Sequence, residues 1–243
     1  KALIMDEEAT KMLGLTTSLT EIINKDVVIV GKLAKGLGPD ATGTSLQSGN
    51  GQSSTEKGAT RHLKCAVILR PTSNSIQALC QQLRRPQFHS YYIFFTNNVS
   101  DDLLRPIAEA DHQFELVRQV HIYYFDFYPL EPQLIIAATP PQQYPIQFFH
   151  QPRDYWPGFV KNAYDRNLET VLSLILTIKS HPIIRTSNSK LALSVANDIA
   201  KRMQQNNDLY LFPQANNEAS TLLLLDRRDD PITPLLLNWS YLS

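Results

Sequence analysis

Asp226 ends a run of four leucines and is followed by Arg227, Arg228, Asp229 and Asp230, in the stretch LLLLDRRDDPITPLLLNWSY, residues 222–241. A carboxylate at the carboxyl end of a buried strand sits where α/β proteins gather their ligands. Asp226 is therefore a candidate nucleophile. Asp226, Asp229 and Asp230 together are candidate metal ligands. Both ideas meet one obstacle: Arg227 and Arg228 present guanidinium forks that pair bidentately with carboxylates and compete for them.

The enzymatic reading is a haloacid-dehalogenase-like phosphohydrolase. Such a site places D-x-D-x-[TV] after an apolar strand, the first Asp attacking and the second acting as acid and base. Here Arg228 holds the second position, and Asp229 comes one residue late. In the structural reading, Asp226 accepts backbone N–H groups or a guanidinium at the end of its strand. Asp230-Pro231 then turns the chain. Thr233-Pro234 reads as an N-cap and first helical residue, and Leu235, Leu236 and Trp239 pack back on the sheet.

Other chemistries lack their residues. No G-x-x-x-x-G-K-[ST] or G-x-G-x-x-G follows a strand, so neither usual phosphate cradle is present. A G-x-G, Gly36-Leu37-Gly38, lies in a polar insertion rather than after a strand. The histidines, at 62, 89, 112, 121, 150 and 181, are too far apart for the short spacing of zinc ligands. No nucleophile elbow occurs. No cofactor, no metal and no catalysis are expected.

The elements that position these residues alternate. ALIMD (Ala2–Asp6), VVIVGKL (Val27–Leu33), CAVILRP (Cys65–Pro71), YYIFFTN (Tyr91–Asn97) and VRQVHIYYFDF (Val117–Phe127) read as strands. SLTEIINK opens a helix with the capping-box pair Ser18 and Glu21. In NSIQALCQQLRR, Ile76, Leu79, Cys80 and Leu83 share a helical face. SDDLLRPIAEA has Ser100 as N-cap and Asp101 and Asp102 in its first turn, which suits the helix dipole. Pro106 lies inside that pattern, and the helix is expected to start late or kink there. Strand and helix in alternation predict a five-stranded parallel sheet flanked by helices over residues 1–130. Residues 34–60 are expected to form a flexible insertion.

From Tyr128 to Gly158 the chain carries seven prolines, a connector with little helix. Next come a long amphipathic helix (FVKNAYDRNLETVLSLILTIKS), a short strand (HPIIRTS) and a second helix with Leu191, Val195, Ile199 and Met203 at helical spacing. The strand TLLLLD follows. Residues 131–243 thus predict an incomplete second α/β domain.

The chain has 243 residues, 23 basic and 23 acidic. A neutral balance gives no push toward nucleic acid or anionic lipid. Cys65 and Cys80 read as buried thiols in a reducing compartment. No signal peptide is read, and no apolar run reaches the roughly 20 residues that span a bilayer.

Two blocks carry a family resemblance. LLLLDRRDDPITPLLLNWSY resembles the L-D-R-x-x-D-x-x-T-P-L-L-x-x-W-[TS]-Y signature of the SM family, which chaperones SNARE assembly in membrane fusion. Asp226, Arg227, Asp229, Thr233, Pro234 and Trp239 lie in this motif. LRPTSNSIQALCQQLRRPQFHSYYIFFTNNVSDDLLRPIAEAD, residues 69–111, is similar in order and spacing to a second block of the family. The resemblance is strongest to its endosomal and trans-Golgi branch, and weakest at 34–60 and 128–160. It implies SM domain 1 over residues 1–130 and the first part of domain 2 over 131–243. The family's third domain lies outside these residues.

The resemblance also implies a partner, the N-terminal peptide of a syntaxin-like SNARE, whose apolar side chain enters a pocket on domain 1. The pocket positions fall on Leu104, Ile107, Ala108, Val117 and Val120. Leu104, Ile107 and Ala108 are spaced i, i+3, i+4 and share a helix face, and Ala108 leaves room for a knob. The same spacing also describes a helix facing the core. Pro106 departs from the family's usual residue. The assembled SNARE complex is implied as a partner of the full-length protein. The expected protein is a cytoplasmic monomer, held peripherally on endosomal, Golgi or vacuolar membranes through SNAREs, without direct membrane insertion and without nucleic acid.

Overall fold

In β1, Ala2–Met5, all four residues are buried, as expected of a central strand covered on both faces. The computed structural model describes residues 1–33, 60–137, 149, 151–212, 220–233 and 236. Most of the insertion expected to be flexible therefore lies outside the described residues. The chain folds as two compact units, Lys1–Ala138 and Thr139–Ser243.

The first unit holds β1, α1 (Glu7–Thr16), α2 (Leu19–Ile23), β2 (Ile29–Lys32), β3 (Lys64–Leu69), α3 (Ser73–Arg84), β4 (Ser90–Phe95), α4 (Asp101–Asp111) and β5 (Val117–Ile122). The strand order is β2-β1-β3-β4-β5, and every pairing is parallel. This is the doubly wound sheet that the alternation predicts. On one face Cys65, Val67, Leu69, Tyr91, Ile93 and Phe95 pack with Ile76, Leu79 and Leu83 of α3 and Ile107 and Ala110 of α4. On the other, Leu3, Met5 and Ala9 pack with Leu13, Ile22, Val27, Ala66 and Ile68. Ser18 and Glu21 close the capping box of α2 from both sides.

Three features depart from the sequence reading. The first is α1, which that reading passes over. Asp6 is its N-cap, accepting from the Ala9 N–H at 2.8 Å, and Glu7 and Glu8 lie in its first turn. The second is an antiparallel hairpin, β6 (Tyr128–Glu131) and β7 (Leu134–Ile136), inside the proline-rich connector. It packs by β6 against α1, which carries the first unit on to Ala138. The third is the start of α4. The helix begins at Asp101, not after Pro106. The Leu103 and Leu104 N–H groups both donate to the Ser100 carbonyl, at 3.0 and 3.1 Å, so the first turn closes before proline removes a donor. Ser100 occupies the N-cap position without a side-chain capping bond.

The second unit contains α5 (Gly158–Ile178), β8 (Ile183–Thr186), α6 (Lys190–Gln205) and β9 (Thr221–Leu224), with β8 and β9 parallel. Its core joins Val160, Tyr164, Leu168 and Leu172 of α5 to Ile199 and Met203 of α6. Leu191 and Val195 pack at its margin. Arg153, before α5, pairs with Asp198 of α6 and lies 4.4 Å from the Tyr164 ring centroid.

Candidate functional site

The surface between α4 and β5 is built by one carboxylate and one bulge. Asp111, the last residue of α4, accepts the Leu116 N–H at 2.8 Å and the Val117 N–H at 3.1 Å. Residues 104, 107, 108 and 111 are spaced i, i+3, i+4, i+7, one helix face. The face that carries the three predicted α4 residues is thus the face tied to the start of β5.

The bulge decides where Val120 goes. Tyr91 pairs with Val117, but Tyr92 pairs with Gln119 and Ile93 with Val120. Arg118 is the extra residue. Strand residues three apart normally point to opposite faces. The bulge cancels this, so Val117 and Val120 lie beside Tyr91 and Ile93 on the α3/α4 face.

The five predicted residues take different roles there. Ile107 is only 4% exposed and belongs to the core. It forms a floor, as a core-facing helix residue does. Leu104 and Val117 are half-buried and pack against the same cluster. Ala108 is exposed, and Val120 is 44% exposed. The structure brings Leu104, Ile107 and Val117 into one cluster and leaves Ala108 and Val120 at its open rim. A separate groove on the other flank of α4 is lined by Ile76, Cys80, Leu103 and Pro106, and contains none of the five.

The carboxyl edge of the sheet, where doubly wound folds bind ligands, is closed by the chain's own groups. Sequence reading missed this network. Asp6 follows β1, Arg70 follows β3 and Asp126 follows β5. Asp6 Oδ2 accepts from the Arg70 N–H and the Ser75 hydroxyl, both at 2.8 Å. Arg70 Nε reaches both oxygens of Asp126, at 3.2 and 3.1 Å, and Asn97 Nδ2 donates to Asp126 at 3.2 Å. Burial pushes the Asp6 carboxyl above its ordinary value, against the hydrogen bonds from Ala9, Arg70 and Ser75. The visible signal was a polar residue beyond the carboxyl end of β1, β3, β4 and β5: Asp6, Arg70, Asn97 and Asp126.

The Asp226 corner follows the structural reading. Arg228 Nε donates to both carboxylate oxygens, at 2.9 and 3.1 Å, and the Arg228 N–H adds a third bond at 3.0 Å. The Ser189 hydroxyl also donates to Asp226 and accepts from the Leu191 N–H, capping α6. Arg228, with help from Ser189 and against desolvation, holds the Asp226 carboxyl well below the usual range. Arg227 and Asp229 are exposed. Among the described residues no group of three His, Cys, Asp or Glu side chains is placed to hold a metal. One expectation shifts: Asp230 Oδ1 accepts the Thr233 N–H at 3.1 Å. The side-chain cap in this turn therefore comes from Asp230, because an Asp three residues ahead reaches that N–H. Leu236, expected to pack back on the sheet, is instead 61% exposed; Pro234, Leu235 and Trp239 lie outside the described residues.

These features describe a doubly wound α/β protein with an open apolar surface beside its edge strand. The chain belongs to the Sec1 family, whose family model matches residues 1–243. It is similar to vacuolar protein sorting-associated protein 45 of Dictyostelium discoideum, 32% identical over 242 residues, covering 99% of this chain and 37% of that protein. It is likewise similar to the Arabidopsis thaliana homolog of that protein, 33% identical over 246 residues, covering 99% and 39%. Among solved structures it resembles one described as the SM protein Vps45 in complex with the Qa SNARE Tlg2. The TM-score is 0.78 at 27% identity, over 99% of this chain and 38% of that one. The chain thus spans about two-fifths of the length of these relatives.

Proposed function

We propose that this protein is a non-catalytic regulator of SNARE-mediated vesicle fusion in endosome, trans-Golgi and vacuole transport. Its first unit binds the N-terminal peptide of a syntaxin-like SNARE between α4 and β5. The observation that carries the reading is the α4–β5 surface itself. Half-buried Leu104 and Val117 stand over the Ile107 floor, with Ala108 and Val120 open to solvent. One apolar anchor seated there buries enough area for about 2–3 kcal/mol. The complex of an SM relative with a Qa SNARE supports the class of partner.

In this reading residues 1–130 are SM domain 1 and residues 131–243 the first part of domain 2. The assembled SNARE complex engages the longer protein. The protein acts as a cytoplasmic monomer, held on endosomal, Golgi or vacuolar membranes through SNAREs without inserting and without nucleic acid. Nothing at Asp226 favours phosphoryl chemistry, since Arg228 and Ser189 engage both its oxygens. Calorimetry with a panel of syntaxin N-terminal peptides tests the proposal. At least one peptide should bind with one-to-one stoichiometry, and a panel that gives no heat rejects the reading.

A further inference from the structure

The zero net charge conceals a segregation. Residues 60–100 contain no Asp or Glu and five basic residues. One of these, Arg70, pairs with Asp126 at the carboxyl edge of the sheet. The other four, Arg61, Lys64, Arg84 and Arg85, are all exposed and collect at the opposite, amino edge. Lys64 opens β3 beside Ser90 of β4, and Arg84 ends α3. Two bonds hold their segments together: the Thr60 hydroxyl donates to the Gln87 carbonyl at 3.0 Å, and the His89 N–H to the Leu63 carbonyl at 2.9 Å. The carbonyl end of α3 favours a cation at Arg84 but says nothing of the other three. None of the four pairs with a carboxylate among the described residues.

Apolar side chains continue the same edge. Val28 precedes β2 and donates its N–H to the Lys1 carbonyl at 2.9 Å, one step outside the row where β1 pairs with β2 and β3. Val28 is 77% exposed and Ile23, at the end of α2, 55%. Strands about 4.8 Å apart put Val28 and Lys64 about 10 Å from each other along this edge, with Arg84 at the end of α3 on one face of the sheet and Ile23 at the end of α2 on the other. Of the carboxylates nearby, Glu21 is engaged in its capping box and Asp26 beside Lys1, while Glu109 and Glu115 stand exposed towards the β5 end of the edge.

We propose that this amino edge rests on an anionic lipid surface, its cations against phosphate headgroups and Ile23 and Val28 in the interface. Cations with adjacent exposed apolar side chains favour a lipid surface over an acidic protein segment, which would use the charges alone. The contact lies outside the α4–β5 surface and does not depend on the proposed peptide site.

Flotation of the 243-residue chain with vesicles tests it. The chain should float with phosphatidylcholine–phosphatidylserine vesicles and not with phosphatidylcholine alone. Replacing Arg61, Lys64, Arg84 and Arg85 by Ala should weaken partitioning about fivefold per residue, with an unchanged circular dichroism spectrum. Val28→Asp should weaken it further. Equal flotation with neutral vesicles, no flotation at all, or unchanged flotation of the fourfold variant would overturn the proposal. A wild-type chain that captures acidic peptides but no vesicles would also overturn it, assigning the edge to a protein instead.

Discussion

Every donor to Asp226 comes from its own unit, and together they make a joint between β9 and α6. Replacing Asp226 by Asn removes the charge that holds Arg228 and half of the acceptor capacity that Ser189 shares. With the Asp226 side chain 4% exposed and that of Arg228 30%, the loss should be about 2 kcal/mol, read as a lower urea midpoint. The pH dependence follows from the depressed carboxyl. Its folded value lies below the unfolded 3.8, so its stabilisation is complete above that value and is lost as pH falls below it. Asp226→Asn should remove this component of acid unfolding. Asp6 serves a similar role at the other joint. Asp6→Ala should cost about 1–2 kcal/mol by uncapping α1, seen as a lower thermal midpoint. Asp226 and its arginines were legible as competing partners from residue type alone. The Asp6–Arg70–Asp126 network was not, because its members lie 56 and 64 residues apart and meet only through the strand order.

At the scale of elements, β1 to β4 of the first unit were readable because each lies in a dense apolar run, and β5, VRQVHI, through its β-branched residues and the aromatic run after it. Helix α1 was not, since its buried stripe is only Ala9 and Met12, too sparse for a period. Hairpin β6–β7 was hidden by Pro129 and Pro132, which mark loops more often than strands. In the candidate site, helical spacing placed Leu104, Ile107 and Ala108 together, but no pattern announces the Arg118 bulge that turns Val120 to their side. Two predictions separate the roles. Leu104→Arg, half-buried at the margin of the core, should lower the thermal midpoint modestly and abolish peptide binding, whereas Ile107→Arg, in the core, should lower the midpoint sharply. Inserting one alanine between Gln119 and Val120 should turn Val120 to the other face and abolish binding in calorimetry while β4–β5 pairing survives. Retained affinity would mean that Val120 is not part of the site.

For the whole molecule, the segment most diagnostic of the family and the surface proposed to act lie in different units. The motif around Asp226 belongs to the second unit, and α4 and β5 to the first. Composition could not show this, nor the basic amino edge, because carboxylates elsewhere in the chain cancel its charge. Calorimetry of one syntaxin N-terminal peptide against wild type, Leu104→Arg and Asp226→Asn compares the two places directly. The account predicts binding to wild type and Asp226→Asn with equal affinity, and a loss of roughly thirtyfold or more in Leu104→Arg, the equivalent of an anchor worth at least about 2 kcal/mol. Binding that survives Leu104→Arg and disappears in a folded Asp226→Asn would contradict it.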